Sequence, residues 1–160
     1  PKGQPVSIGV DQEGGPVSRL STAALPFPPL MAFGAAADSE LTQAATQVQA
    51  ENLTDLGFTI DFAPDADVTT GAKDVAINVR SAGDDHKQAA AVVGAAPTGY
   101  ALGGVPAPAK HLPRPGPPPA DSPQPLPVPP KRIDEPADPA LPPFQPPVAP
   151  GTPLPRPRHP

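Results

Sequence analysis

Short apolar runs of strand length recur along the first two thirds of the chain. The first covers residues 6–10 and leads into Asp11 and a pair of glycines, a pattern typical of a buried strand that enters a loop. Two further runs, residues 58–62 and 104–109, have five and six residues and also lead into polar side chains. We therefore predict three strands in this part of the chain.

Longer stretches with helical spacing of apolar side chains separate these runs. After a proline-rich connection, Asp38 or Ser39 is positioned to cap a helix that ends at Gly57. A second helix is predicted to begin at Asp84 or Asp85, although Pro97 falls where that helix would have to continue.

Strands and helices that alternate in this order predict a parallel α/β sheet. Asp11 follows the first predicted strand, Asp65 and Asp67 follow the second, and Lys110 and His111 follow the third. Because the carboxyl ends of parallel strands meet at one edge, we expect a ligand site there. Aspartates in the position of Asp65 and Asp67 more often cap or brace a loop than contact a ligand.

Proline content changes sharply toward the end of the chain. Of the 31 prolines, seven lie in residues 1–96 and 24 lie in residues 97–160. Proline lacks an N–H donor and blocks helix interiors and central strands. The chain is therefore predicted to divide into an α/β region, residues 1–112, and a proline-rich irregular tail, residues 113–160.

Charge and cysteine content exclude several classes of protein. The formal net charge of −5 argues against nucleic-acid binding, which requires clustered Lys and Arg, and favours a small molecule or a protein as the partner. The chain has no cysteine and its three histidines are widely separated, so neither a metal nor a cofactor is expected. No apolar run approaches the roughly 20 residues of a membrane-spanning helix. The chain begins with Pro1 rather than Met, so cytoplasm and cell envelope both stay open as its location.

Five stretches match, in order, the motifs of one enzyme family. Residues 7–20, SIGVDQEGGPVSRL, contain a DQEGG run followed by an arginine, and residues 56–68, LGFTIDFAPDADV, are similar to the strand that comes next. Residues 78–85, NVRSAGDD, resemble an arginine-containing loop. Residues 109–116, AKHLPRPG, resemble a loop usually written KHFPGHG, and residues 120–128, ADSPQPLPV, resemble an acid/base loop usually written DSHxxLP. Together they resemble the family 3 glycoside hydrolases of the β-N-acetylhexosaminidase type.

The resemblance implies a partial (β/α)8 TIM barrel with about half of its strands, followed by the proline-rich tail. It implies hydrolysis, with retention, of terminal β-linked N-acetylglucosamine in small glycans or cell-wall fragments. Such enzymes use a carboxylate nucleophile and a separate acid/base. Carried over to this sequence, the sugar-binding residues are Asp11, Arg19, Arg80, Lys110 and His111, and the aspartate of the acid/base dyad is Asp121.

Departures from the family pattern predict that this chain is inactive. Pro123 stands where the histidine of the dyad is expected, so Asp121 has no titratable partner there. Arg114 and Pro115 replace the Gly-His pair of the KHFPGHG loop. The chain also ends at Pro160, before the segment expected to carry the nucleophile, with about half the strands of a roughly 250-residue barrel.

Two alternatives to an enzyme stay open at this point. Residues 127–132, PVPPKR, fit the PxxPx[KR] form that polyproline-recognition domains accept, which would make the tail an interaction segment. The five sugar-binding residues could also form a lectin-like site without catalysis. For Arg19 and Arg80 there is, in addition, the simpler interpretation that both are surface arginines.

Overall fold

The computed structural model describes residues 6–20 and 22–111, which form a mixed α/β unit. They contain two strands, β1 (Gly9–Val10) and β2 (Ile60–Asp61), and three α-helices, α1 (Leu30–Ala36), α2 (Ser39–Asp55) and α3 (His86–Leu102), with a 3₁₀ helix at Asn78–Arg80. β1 and β2 pair in parallel, with Gly9 opposite Ile60 and Val10 opposite Asp61. The predicted tail, with Asp121, Pro123 and the PVPPKR motif, lies outside the described residues.

The helix predicted to begin at Asp38 or Ser39 is α2, and its ends follow the expected signals. Asp38 caps it, because its Oδ1 accepts the N–H of Leu41 at 2.9 Å. Gly57, just beyond the last turn, has a φ of 89°, which lies in the left-handed region that favours glycine.

The second predicted helix is α3, which continues through Pro97. Asp85 caps it by accepting the N–H groups of Lys87 and Gln88 at 2.9 and 2.8 Å. Pro97 removes one helical hydrogen bond, yet Ala96 and Gly99 on either side are buried where α3 packs on α2. That packing outweighs the local preference of proline against a helix.

The regular strands are shorter than predicted, and residues 104–109 do not form one. Pro106 and Pro108 cannot donate to a ladder, which prevents regular pairing. The segment still lies beside β2, because the N–H of Asp61 donates to the carbonyl of Pro106 at 3.1 Å. A parallel bridge between Asp65 and Lys110 extends this contact, so the segment lies next to β2 without being a strand.

Helix α1 was missed in the sequence, where its prolines indicated only a connection. Pro29 occupies its N-cap, a position at which a missing N–H costs nothing, and Ala37 ends it with a φ of 52°. Leu30 and Phe33 are buried on the side that faces the rest of the unit. This apolar pair stabilises a short helix that propensity alone does not predict.

The described residues contain two apolar core clusters. One lies between α2, α3 and the strands and includes Val10, Leu53 and Tyr100. The other lies under α1 and includes Phe33 and Val92. Within the described ranges, no helix has the length and apolar character needed to cross a membrane.

Candidate functional site

Charged side chains converge where β1, β2 and the 104–110 segment end, as the alternating pattern predicted. We refer to seven of them as the charged cluster: Asp11, Glu13, Asp65, Asp67, Arg80, Lys110 and His111. Four of the five predicted sugar-binding residues belong to it.

Lys110 lies between the two carboxylates of the loop after β1. Its Nζ is 2.7 Å from Oδ1 of Asp11 and 2.5 Å from Oε1 of Glu13. The Lys110 side chain is 3% exposed, whereas that of Asp11 is 34% exposed. Lys110 therefore holds the carboxylate of Asp11 from the buried side, and Asp11 itself is partly exposed to solvent.

Arg80 also binds Glu13, through both oxygens of the carboxylate. Its Nε and Nη2 donate to the two carboxylate oxygens of Glu13 at 2.8 and 2.9 Å, and Nη2 is also 3.0 Å from Oδ2 of Asp65. The fork geometry of this bidentate pair fixes the plane of the guanidinium group. Sequence reasoning assigned no role to Glu13, although its place inside the DQEGG motif was a usable signal.

His111 is held by the two aspartates that follow β2. Its Nδ1 is 2.8 Å from Oδ2 of Asp67 and 3.9 Å from Oδ1 of Asp65. Oδ1 of Asp65 also accepts the N–H of Asp67 at 2.9 Å, so the expected bracing of this loop is confirmed. Both aspartates additionally contact predicted sugar-binding residues, which the sequence did not indicate.

Arg19 lies apart from the charged cluster. Its side chain is exposed, and its backbone N–H donates to Oε1 of Gln12 at 2.8 Å. Its assignment to the sugar stays a prediction. Asp121, the predicted dyad aspartate, lies outside the described residues.

The DQEGG loop can place these groups only because of its glycines. Gly14 has a φ of 94°, and a Cβ there would lie 2.5 Å from the carbonyl oxygen of Pro28. The N–H groups of Glu13 and Gly14 both donate to the carbonyl of Val17, which closes a tight turn. A side chain at position 14 would displace Glu13 from Arg80 and Lys110.

Negative charge exceeds permanent positive charge in the cluster, since four carboxylates share one lysine and one arginine. Burial alone would raise the pKa of Glu13, but hydrogen bonds from Arg80 and the charge of Lys110 hold it below its ordinary value. Burial and the neighbouring Asp67 raise the pKa of Asp65 well above its ordinary value. The bonds to Glu13 raise the pKa of Arg80.

A second buried carboxyl group lies directly behind the loop. Asp61 accepts the N–H of Gln12 at 2.9 Å, and the hydroxyl of Tyr100 helps to lower its pKa. Burial raises the pKa of Asp61 to about 7, against the weaker opposing effects of the Gln12 N–H and of Lys110. Burial also raises the pKa of Tyr100.

Three members of the cluster have the atoms of a possible metal site. Asp65, Asp67 and His111 each offer one ligand atom, all within 4.8 Å of one another. Sequence reasoning expected no metal because it considered only the missing cysteines and the spacing of the histidines. Arg80 already supplies a cation to Asp65, and Nδ1 of His111 is engaged by Asp67, so metal binding would require both contacts to rearrange.

Neither of two cavities in the described part of the chain offers a sugar-sized space beside the cluster. A cavity of about 10 Å³, which adjoins Glu13, Asp65 and Arg80, is too small for a sugar. A larger apolar cavity of about 450 Å³ between α1 and α2 includes none of the charged cluster. A polar ligand would therefore approach the outer side, where Asp11, Arg80 and His111 are partly exposed.

Comparison with known proteins gives consistent matches. The Glycosyl hydrolase family 3 N terminal domain matches residues 1–152. Beta-hexosaminidase LpqI of Mycobacterium tuberculosis is 37% identical over 117 residues, which cover 68% of this chain and 28% of LpqI. The chain thus spans less than a third of the length of this relative.

Solved structures agree with the sequence matches. A family 3 glycosyl hydrolase from Mycobacterium smegmatis superposes with a TM-score of 0.64 at 34% identity, covering 68% of this chain and 34% of that one. A family 3 β-N-acetylglucosaminidase from a Paenibacillus species gives a TM-score of 0.65 at 37% identity, covering 69% and 21%.

Proposed function

The chain belongs to glycosyl hydrolase family 3 through its N-terminal domain, and we propose that it carries the sugar-binding part of a β-N-acetylhexosaminidase-type glycosidase. The reaction of that enzyme is the release, with retention, of terminal β-linked N-acetylglucosamine from a small glycan or cell-wall fragment. In this proposal residues 1–112 contribute the first strands of a (β/α)8 barrel. The names of its relatives support the substrate class, because one is a beta-hexosaminidase and another a β-N-acetylglucosaminidase.

The observation that carries the proposal is the arrangement of Asp11 over Lys110 at the open side of the charged cluster. The carboxylate of Asp11 can accept hydrogen bonds from two sugar hydroxyls, while Arg80 and His111 can donate to hydroxyl or amide oxygens. A monosaccharide site requires both hydrogen-bond acceptors and hydrogen-bond donors at fixed positions around the sugar.

The buried members of the cluster hold the accessible ones in place before a sugar arrives. Glu13 is 5% exposed and accepts from Lys110 and Arg80 together, so neither cation is free to rotate away. Fixing these long side chains in advance lowers the entropic cost of binding. We assign the contacts with the sugar to Asp11, Arg80 and His111, with Lys110 reaching the sugar at its edge and Arg19 entering from the adjoining loop.

Hydrolysis by residues 1–160 is not expected. All four carboxylates of the described cluster are engaged with Lys110, Arg80 or His111, and position 123 carries proline where the family dyad has histidine. Without a proton shuttle, protonation of the leaving oxygen loses its catalyst. The chain itself would act as a non-catalytic sugar binder. The interaction role of residues 127–132 stays a prediction.

Binding is tested by titrating residues 1–160 with N-acetylglucosamine, followed by NMR. We expect saturable shifts at residues of the charged cluster with a Kd of about 1 mM, typical of one small ligand with few contacts. Asp11→Asn should weaken binding at least about tenfold, because it removes the charge that accepts from the sugar. The matched control is Asp84→Asn, at an exposed position outside the cluster.

Two results would contradict the proposal. Absence of binding at sugar concentrations about tenfold above that Kd would remove the sugar-binding role. Equal losses in Asp11→Asn and Asp84→Asn would place the sugar elsewhere. In a separate assay, hydrolysis of a chromogenic β-N-acetylglucosaminide above the blank would refute the expected inactivity, while leaving the binding result intact.

A further inference from the structure

Gln12 separates the two loop carboxylates that bind Lys110, yet its own side chain points away from that lysine. It is 2% exposed and is among the largest fully buried polar residues of the described chain. Sequence reasoning assigned no role to Gln12. Its hydrogen bonds show what it connects.

The backbone of Gln12 is bonded on both sides. Its N–H donates to Oδ1 of Asp61 at 2.9 Å, and its carbonyl accepts Nε2 of Gln49 at 2.5 Å. Asp61 belongs to β2 and Gln49 to α2, so the backbone of one residue connects the loop to two neighbouring elements. These two hydrogen bonds therefore also restrict the backbone positions of the adjacent residues, Asp11 and Glu13.

The side chain of Gln12 reaches the segment that carries Arg19. Its Oε1 accepts the N–H groups of Arg19 and Leu20 at 2.8 and 3.3 Å, and its Nε2 donates to Oγ of Ser18 at 2.9 Å. Two amide donors and one hydroxyl thus converge on one carboxamide. A carboxamide suits this position because it presents an acceptor and a donor at the same time.

We propose that Gln12 is a positioning residue, which fixes residues 18–20, including Arg19, relative to Asp11 at the edge of the site. The Arg19 side chain is exposed and free of the cluster's ion pairs within the described residues, so its backbone is what sets its location. The part of this inference that concerns sugar binding rests on the proposed function. The hydrogen-bond arrangement itself does not depend on it.

The first test requires no ligand. Backbone amide exchange of Arg19 and Leu20 should rise about tenfold or more in Gln12→Leu, which has similar volume and no acceptor, while the amides of α2 stay protected. Gln12→Glu should keep the protection, since its carboxylate still accepts both N–H groups. The matched control is Gln47→Leu, whose amide donates to the exposed side chain of Glu51 at 2.8 Å.

Unchanged exchange at Arg19 and Leu20 in a folded Gln12→Leu chain would overturn the proposal. If that variant does not fold, the unmodified chain decides the question. A nuclear Overhauser contact between the Gln12 side chain and the Arg19 N–H is expected there, and its absence would equally overturn it.

The second test measures the coupling to sugar binding. We expect Gln12→Leu to weaken N-acetylglucosamine binding about fivefold, Arg19→Ala about tenfold, and the double variant also about tenfold, because the two changes remove one contact. If the fivefold and tenfold losses in affinity multiply in the double variant, Gln12 does not act through Arg19. If the unmodified chain binds no sugar, the proposed function fails, and the exchange test still judges the positioning role.

Discussion

The charged cluster and the contact between α2 and α3 are two buried regions built on opposite principles. The helix contact is neutral and close, with Ala50, Ala96 and Gly99 allowing the backbones to approach and Oγ1 of Thr46 donating to the carbonyl of Ala96 at 3.2 Å. The cluster instead places carboxylates beside one another with too few permanent cations. The helices stabilise the unit, whereas the cluster holds groups that are costly to bury.

This difference gives the two regions different weaknesses. A neutral contact made of small residues is sensitive to added volume, because no side chain can move aside. A cluster of buried charges is sensitive to any change in charge balance, and removing one unfavourable charge can even stabilise the fold. Three substitutions measure these sensitivities separately.

The largest effect is expected for Lys110→Met. Methionine fills a similar volume but leaves Glu13 and Asp11 without their shared cation, and removal of one partner of a buried ion pair typically costs about 3–5 kcal/mol. Denaturant unfolding followed by circular dichroism measures the free energy of unfolding. Sugar binding should be lost in the same variant.

The control is Lys73→Met, which removes an exposed lysine and should change the free energy of unfolding by less than about 0.5 kcal/mol. If Lys110→Met were as stable as the control, the cluster would not depend on its charge balance.

The second effect concerns Asp61, a buried carboxyl group that accepts the N–H of Gln12 and interacts electrostatically with Tyr100 of α3. Because burial raises its pKa from 3.8 to about 7, the folded chain binds the proton more tightly than the unfolded chain. Its stabilising contribution is therefore complete below about pH 4, decreases as the pH rises toward 7, and stays low above that.

Asp61→Asn should remove this pH dependence. The amide can still accept the Gln12 N–H and carries no charge, so we expect the variant to exceed the unmodified chain by about 2–4 kcal/mol at pH 8 and to match it near pH 4. Unfolding curves at several pH values, with the exposed Asp84→Asn as control, measure the difference. Parallel pH profiles for the Asp61→Asn and unmodified chains would contradict the assignment.

Sequence reasoning was most successful where one local signal decides the outcome. Asp38 and Asp85 each cap a helix near the predicted position, and Gly57 takes the left-handed conformation that ends α2. The polar residues after each predicted strand also converge as expected, since a parallel arrangement leaves them one common edge. These features depend on few residues that are close in sequence.

Features that depend on distant contacts were missed. The helix α1 is stabilised by burial of Leu30 and Phe33 rather than by propensity, and residues 104–109 lie beside β2 although their prolines prevent a regular ladder. The central place of Glu13 follows from Arg80, which lies 67 positions later. Only the folded chain brings such partners together.

The smallest of the three effects on the free energy of unfolding is expected at the contact between α2 and α3. Its sign should differ between two glycines of α3. A Cβ at Gly99 would clash with Oγ1 of Thr46 and the carbonyl of Gln43, so Gly99→Ala should destabilise by about 1–3 kcal/mol. Gly94 lies in the same helix but is exposed, so Gly94→Ala should stabilise by about 0.5–1 kcal/mol through helix propensity alone.

Denaturant unfolding of both variants separates packing from propensity, because the chemical change and the helix are identical. A destabilised Gly94→Ala would mean that α3 also packs along its outer side. If Gly99→Ala were neutral, α2 and α3 could move apart freely and the contact would not limit stability. Opposite signs would show that close packing against α2 limits the volume at Gly99, whereas helix propensity alone decides the effect at Gly94.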